Sequence, residues 1–140
     1  MFDSFGNERL IKWKDFRQQL ETSQDPFADV ASFWSKAPFV NSFINPENMS
    51  QWPDPWHLVL DNRYDDLAIC LGMLYTIKLT QRFMDSNFEI HTSMSGQKKS
   101  QSFFLVVDKK HVLNYEYASA VDIEQLTDPT NIIWTGTELP

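Results

Sequence analysis

Three residues spaced four apart, His57, Asp61 and Asp65, form the most chemically suggestive pattern in this chain of 140 residues. On one unbroken helix they would share a face, where two carboxylates and an imidazole could bind a divalent metal or act as an acid/base pair. Asn62 interrupts the pattern, because asparagine is a good helix cap and so marks a break. Capping and surface solvation are therefore the expected roles of these residues. No catalytic, cofactor-binding or metal-ligating residue is assigned.

The other reactive side chains are weaker candidates. His91 and His111 fall on expected strands, and Glu89 shares the face of His91, but no full ligand set gathers around either histidine. Cys70 lies inside an apolar helical segment, where a thiol is an inert small hydrophobe. A single cysteine also excludes an internal disulfide and a cysteine-rich zinc module, and it fits a reducing compartment. Gly72, Gly96 and Gly136 are isolated and make no phosphate-cradling loop. Ser93, Ser95, Ser100 and Ser102 crowd one region, "TSMSGQKKSQS", which reads as a mobile hairpin loop with no nucleophile elbow.

With 19 acidic against 12 basic residues, the net charge is -7. That balance argues against a nucleic-acid groove, which needs clustered Lys and Arg. The pairs Lys98-Lys99 and Lys109-Lys110 read as loop charges. The opening "MFDSFGNERL" has neither a basic nor an apolar leader region, and no apolar run reaches the ~18 residues of a membrane span. A soluble protein is expected, made in the cytosol of its producer. Eleven Phe, five Trp and four Tyr are a heavy aromatic load for this length. Trp13, Trp34 and Trp134 are candidate interface anchors, with burial in the core as the competing role.

These side chains must be positioned by a single α+β domain spanning 1–140, helical over 7–83 and strand-rich over 87–136. In "NERLIKWKDFRQQLE", Leu10, Trp13, Phe16 and Leu20 recur at helical spacing behind a possible Asn7 cap. Asp25-Pro26 and Asp54-Pro55 each read as an N-cap followed by proline at the first helical position. The segment "RYDDLAICLGMLYTIKLTQRFM" is apolar nearly all round and predicts a central buried helix, capped by Asn62 with Asp65 three residues in. "FEIHTSM" alternates as a strand with one wet face, and "SFFLVVD" is apolar on both faces, as a central strand should be. "HVLNYEYA" is its expected hairpin partner across "DKK", "VDIEQLTDP" a short helix or turn, and "NIIWTG" an edge strand. The central helix is expected to pack on a small antiparallel sheet of three to four strands.

The succession of a Trp-Pro lead, a short helix, a tight turn, a central apolar helix, an apolar strand and its hairpin partner is similar to the core of transglutaminase-like and papain-like cysteine hydrolases. In that core a nucleophilic Cys opens the central helix, a His leads a later strand and an Asp or Asn lies on the next. Over roughly Trp52 to Tyr117, the resemblance puts Asp65 or Tyr64 at the Cys position, Ser102 at the His position and Asn114 at the third. It implies a version of the fold without nucleophile or base, kept for packing or binding. The texture of "KWKDFRQQLE", "DPFADVASFWSKAPFV" and "WPDPWHLVLDNRYDDLAICLGMLYTIKL" also resembles small proteins of marine T4-like tailed phages. That resemblance implies a non-catalytic phage protein working through protein–protein contacts, a small tail, neck or baseplate subunit. A host-directed inhibitor and a hydrolase-like or metal-dependent enzyme at His57, Asp61 and Asp65 are the alternatives. Expected partners are other virion subunits or a host protein, with a homo-oligomer open and nucleic acid and membrane excluded; the expected location is the virion or the host cytoplasm.

Overall fold

Ten of the thirteen residues of α4 (Asp66–Lys78) are buried. A helix apolar on every side must be covered on every side. In the computed structural model, which describes residues 1–41, 44–93 and 101–140, that cover is supplied by three helices and a sheet. Helices α1 (Asn7–Leu20), α2 (Pro26–Trp34) and α3 (Pro55–Asp61) pack around α4, and strand β2 (Ser102–Val107) lies against it from the sheet side.

One buried hydroxyl serves several polar groups inside this core. The Thr76 hydroxyl, fully buried in α4, donates to the Gly72 carbonyl at 2.6 Å and accepts the indole N–H groups of both Trp13 and Trp34 at 2.9 Å. One oxygen thus ties α1 and α2 to the central helix. Both indoles have no exposed surface. Trp13 and Trp34 are therefore core residues and not the surface anchors that were one reading of them; Trp134 is half-buried on the sheet edge.

The sheet has five antiparallel strands in the order β4-β3-β2-β1-β5, with β1 (Phe88–Ser93), β3 (His111–Leu113), β4 (Ala120–Asp122) and β5 (Asn131–Gly136) flanking β2. This exceeds the expected three to four because Ala120–Asp122, whose last two residues open the stretch "VDIEQLTDP" expected as a short helix or turn, pairs with β3 before a 3-10 turn at Ile123–Gln125. β2 is the middle strand, as its two apolar faces required. Phe103, Leu105 and Val107 join the helical core, while Phe104 and Val106 enter a second cluster with Val112, flanked by Tyr115, Val121, Ile123 and Leu126. That second cluster corrects the wet face expected for β1. His91 and Ser93 are buried, because the 115–130 segment folds back over the outer face of the sheet.

Helix boundaries follow cap chemistry. Asp25 and Asp54 accept the backbone N–H groups of Ala28 and His57, with proline next in sequence, as expected. α1 starts after Gly6 with no side-chain cap, so Asn7 is its first residue and not its cap. Asn62 takes φ 52° and terminates α3; Asp65 alone is the N-cap of α4, accepting from Ala68 N–H at 2.8 Å. α4 stops at Lys78, short of the expected Met84, where Thr80 bonds back to Ile77 and the Glu21 carboxylate takes the backbone N–H groups of Gln81 and Arg82. The turn at "DKK" holds: three residues separate the paired Val107 and His111, with Asp108 and Lys109 both at positive φ and the Lys110 N–H donating to the Val107 carbonyl at 3.1 Å. Most of the loop read from "TSMSGQKKSQS" lies outside the described residues.

Candidate functional site

The first residue of α4 faces the sheet. Asp65, one position earlier, turns inward as the cap and also accepts the Ile44 N–H at 2.8 Å. Asp66 then directs its carboxylate across to the start of β2 and the end of β3. One oxygen accepts the Phe103 N–H at 2.6 Å and the other accepts the Asn114 side-chain amide at 3.1 Å. The same amide nitrogen donates to the Phe103 carbonyl at 2.9 Å. Asn114 holds φ 66°, a left-handed conformation that asparagine tolerates better than most residues. This kink ends β3 and swings the amide under the helix terminus, where the positive end of the helix dipole also favours the Asp66 charge.

Above this floor lies a cavity of about 480 Å³ lined by Asp66, Ser93, Ser102, Phe104, Asn114, Tyr115, Glu116 and Asp128. A second recess of about 270 Å³ shares Asp66, Asn114 and Glu116 with it and is walled by Ile69, Met73, Phe39 and Tyr117. Two of its rim residues are unusually open for aromatics, Phe39 at 59% and Tyr117 at 85% exposed. Comparison with family models, curated proteins and solved structures finds no match. The site must accordingly be judged on its own chemistry. Among the described residues no Lys, Arg, His or Cys lines either cavity, whereas three carboxylates do.

Of the residues singled out by sequence, Ser102 and Asn114 come together with Asp66 around one cavity. The third partner is Asp66 and not Asp65 or Tyr64, because α4 begins after Asp65 rather than at Asn62. Tyr64 is fully buried under Phe2 and Trp34, and burial pushes its phenol well above the usual range.

The His57, Asp61 and Asp65 pattern does not assemble, since the left-handed break at Asn62 removes the common helical face. His57 is exposed and pairs with Asp54, Nδ1 to Oδ2 at 2.7 Å, while Asp61 is exposed at the end of α3. Burial opposes ionisation of Asp54, but the His57 N–H and imidazole outweigh it and hold the carboxyl below its ordinary value. No group of three or more His, Cys, Asp or Glu among the described residues is arranged to hold a metal ion.

Of the remaining candidates Cys70 and His91 are buried and His111 is half-buried. Cys70 is fully buried, and burial, with Asp66 nearby, pushes its thiol far above the usual range. His111 stacks on Phe27 at 4.2 Å between ring centroids. His91 links Thr130 Oγ1 at 2.9 Å to Glu89 Oε1 at 2.8 Å beneath the second cluster and stacks on Phe104, which fastens the lead of β5 to β1. Glu116, Asp128, Phe39 and Tyr117 were not foreseen as site residues. The sequence signal was Asn114 itself, since an asparagine after an apolar strand marks a turn that frees "YEY" from the sheet.

Proposed function

We propose that this chain is a non-catalytic protein that works by protein–protein contact, as a small structural subunit of a tailed-phage particle. One observation carries the non-catalytic part. The Asp66 carboxylate at the head of the central helix, one residue after the Asp65 that the resemblance to cysteine hydrolases puts at the nucleophile position, is a fixed hydrogen-bond acceptor for Phe103 N–H and Asn114. A nucleophile needs an adjacent base, and Ser102 is the side chain at the position the resemblance gives the histidine. Exposed Phe39 and Tyr117 beside that carboxylate suit a contact surface, since large exposed aromatics are frequent interface anchors. The phage assignment draws on the resemblance of sequence texture alone.

Mass spectrometry of purified particles from the virus that encodes the chain, with size-exclusion chromatography and light scattering of the isolated protein, tests this proposal. A fixed copy number in particles is expected. Absence from particles together with a strictly monomeric, partnerless protein refutes it. No described helix is long and apolar enough to cross a membrane.

A further inference from the structure

Arg17, in the last turn of α1, is a half-buried cation without a counter-charge. Its guanidinium carbon lies 4.3 Å from the centre of the Trp13 ring and 5.9 Å from that of Trp56, and the two indoles meet edge to face at 5.7 Å. Its Nε is buried, and none of its five N–H groups donates to a described acceptor. Arg9 and Arg82, by contrast, are tied to the backbone. Arg9 donates to the carbonyls of Ser4, Val59 and Leu60, and Arg82 to those of Leu20 and Ser23. Among the described residues no carboxylate pairs with Arg17, and burial lowers its pKa with nothing to offset it. A partly desolvated, unpaired cation is unfavourable in the isolated chain, and such local violations concentrate at functional sites. The surface beside it is apolar. Trp56 is 47% and Leu60 37% exposed, and their spacing of four puts them on one face of α3, which Arg9 fastens to α1.

We infer that the face formed by Arg17, Trp56 and Leu60 docks a partner protein through a single Asp or Glu flanked by apolar residues. The carboxylate pairs with the guanidinium of Arg17, whose planar fork matches it, and a neighbouring apolar side chain covers Trp56 and Leu60. Charge complementarity selects this occupant. A basic segment would leave Arg17 unpaired and set a like charge beside it, and a purely apolar one would desolvate it further. A phosphate or a polyacidic tract would approach a chain of net charge -7, whose repulsion bears much less on one carboxylate among apolar residues. A second copy packed about a two-fold axis on this face would bring two Arg17 guanidinia together without an acid to answer them, since Asp54, two residues before Trp56, is engaged by His57. Tryptophan and arginine are also the side chains most enriched among interface hot spots.

This inference rests on the contact-protein proposal and gives one such contact its surface and chemistry. Random dodecapeptides displayed on a library are selected against the intact protein, and synthetic copies of the enriched ones are titrated on variants. Enriched peptides should share an Asp or Glu within two positions of a large apolar residue. Arg17→Met, which keeps a stem over Trp13 and removes the charge, and Trp56→Ser should each lower affinity about tenfold or more. Lys36→Met, which removes an exposed cation beyond the end of α2, should leave it unchanged. Exchanging the peptide acid for its amide should cost the same factor on the parent and nothing further on Arg17→Met, the signature of a direct pair. Thermal unfolding of each variant confirms that binding is read on folded protein, and the peptide exchange carries the test where Trp56→Ser does not fold. Failure to enrich, enrichment of basic or polyacidic peptides, independent losses in the Arg17 and peptide exchanges, or self-association abolished by Arg17→Met each overturns the inference. The outcomes separate from those of the functional proposal. A protein found in particles whose α1–α3 face takes no such peptide loses only this contact, and a face that binds in a protein absent from particles loses only the phage role.

Discussion

Gly72 sits in the middle of α4, and helix propensity alone says that Gly72→Ala should stabilise the protein by about 1 kcal/mol. The structure reverses the sign. A Cβ built at Gly72 would lie 2.4 to 2.6 Å from three ring atoms of Trp34. That is roughly 1 Å inside the ~3.5 Å separation at which carbon atoms attract. The ring has nowhere to go. It is fully buried, meets Phe2 at 5.2 Å, Tyr64 at 5.3 Å and Phe33 at 6.0 Å between centroids, and is tethered to Thr76 through its N–H. Overpacking of this kind costs about 1–3 kcal/mol. Displacing the indole far enough to break its bond adds about 1–3 kcal/mol for a buried donor left unmade.

Set against the propensity gain of about 1 kcal/mol, the net loss is about 1–5 kcal/mol, or a fall in Tm of about 3–20 °C for a domain of this size. Urea and thermal unfolding of Gly72→Ala measure it directly. The cause is isolated by a cycle with Trp34→Phe, whose smaller ring should absorb the new methyl and make the second change at least ~1 kcal/mol less costly. A Gly72→Ala protein as stable as its parent would refute the close approach of Trp34 to α4, and with it the arrangement of α2 on the central helix.

Three further changes probe the same framework. Thr76→Val is isosteric but strips the acceptor from two buried indoles; a loss of about 2–5 kcal/mol is expected against about 1 kcal/mol for Thr76→Ser, read by denaturant unfolding, and equal losses would contradict the shared acceptor. Asn114→Asp sets a second carboxylate where the amide now sits 3.1 Å from Asp66; stability should drop by about 2 kcal/mol or more at neutral pH and recover as the pH falls through the carboxylate range, whereas a pH-independent loss would argue against the pairing. Burial, with Lys110 adding to it and Asp108, Asp122 and Asp25 opposing, lowers the His111 pKa below its ordinary value. Its neutral form is thus favoured by folding, so this contribution is complete above about pH 6.5 and lost as the pH falls toward the lowered value. His111→Phe keeps the stack on Phe27 and should flatten the fall in unfolding midpoint between about pH 7.5 and pH 5; an unchanged slope would remove His111 as its source.

Much of this framework was legible because it rests on local chemistry. The Asp-Pro starts at Asp25 and Asp54, the all-round apolar face of α4 and the two apolar faces of β2 each have one physical solution, and the structure adopts it. What failed needed knowledge of tertiary cover. β1 reads as half-wet, but a return segment with little periodicity of its own buries His91 and Ser93. Trp13 and Trp34 look like spare aromatics until Thr76, sixty-three and forty-two residues away, is found to serve both. The β4 strand has only three residues, too few for alternation to register.

The site shows the same division at finer scale. Ser102 and Asn114 were placed by topology and do line one cavity with the head of the central helix, yet the carboxylate among them belongs to Asp66. That error of one residue comes from the run Asn62 to Asp66, which offers three good caps in five positions. Propensity cannot rank them, because Asn, Asp and Ser cap about equally well. The competition is decided by Asn62 adopting φ 52° to end α3, which leaves Asp65 to cap α4 and hands Asp66 to the sheet. A helix terminus shared by two neighbouring acids thus divides its labour, with Asp65 fixing the backbone and Asp66 joining helix to strand. Successive residues at the helix head point in different directions, about 100° apart within a helix, so the cap Asp65 and the first helical residue Asp66 address different neighbours, the helix backbone and the strand. The wall of Asp66, Asn114 and Glu116 that the two cavities share therefore depends on the turn before the helix as much as on the helix itself.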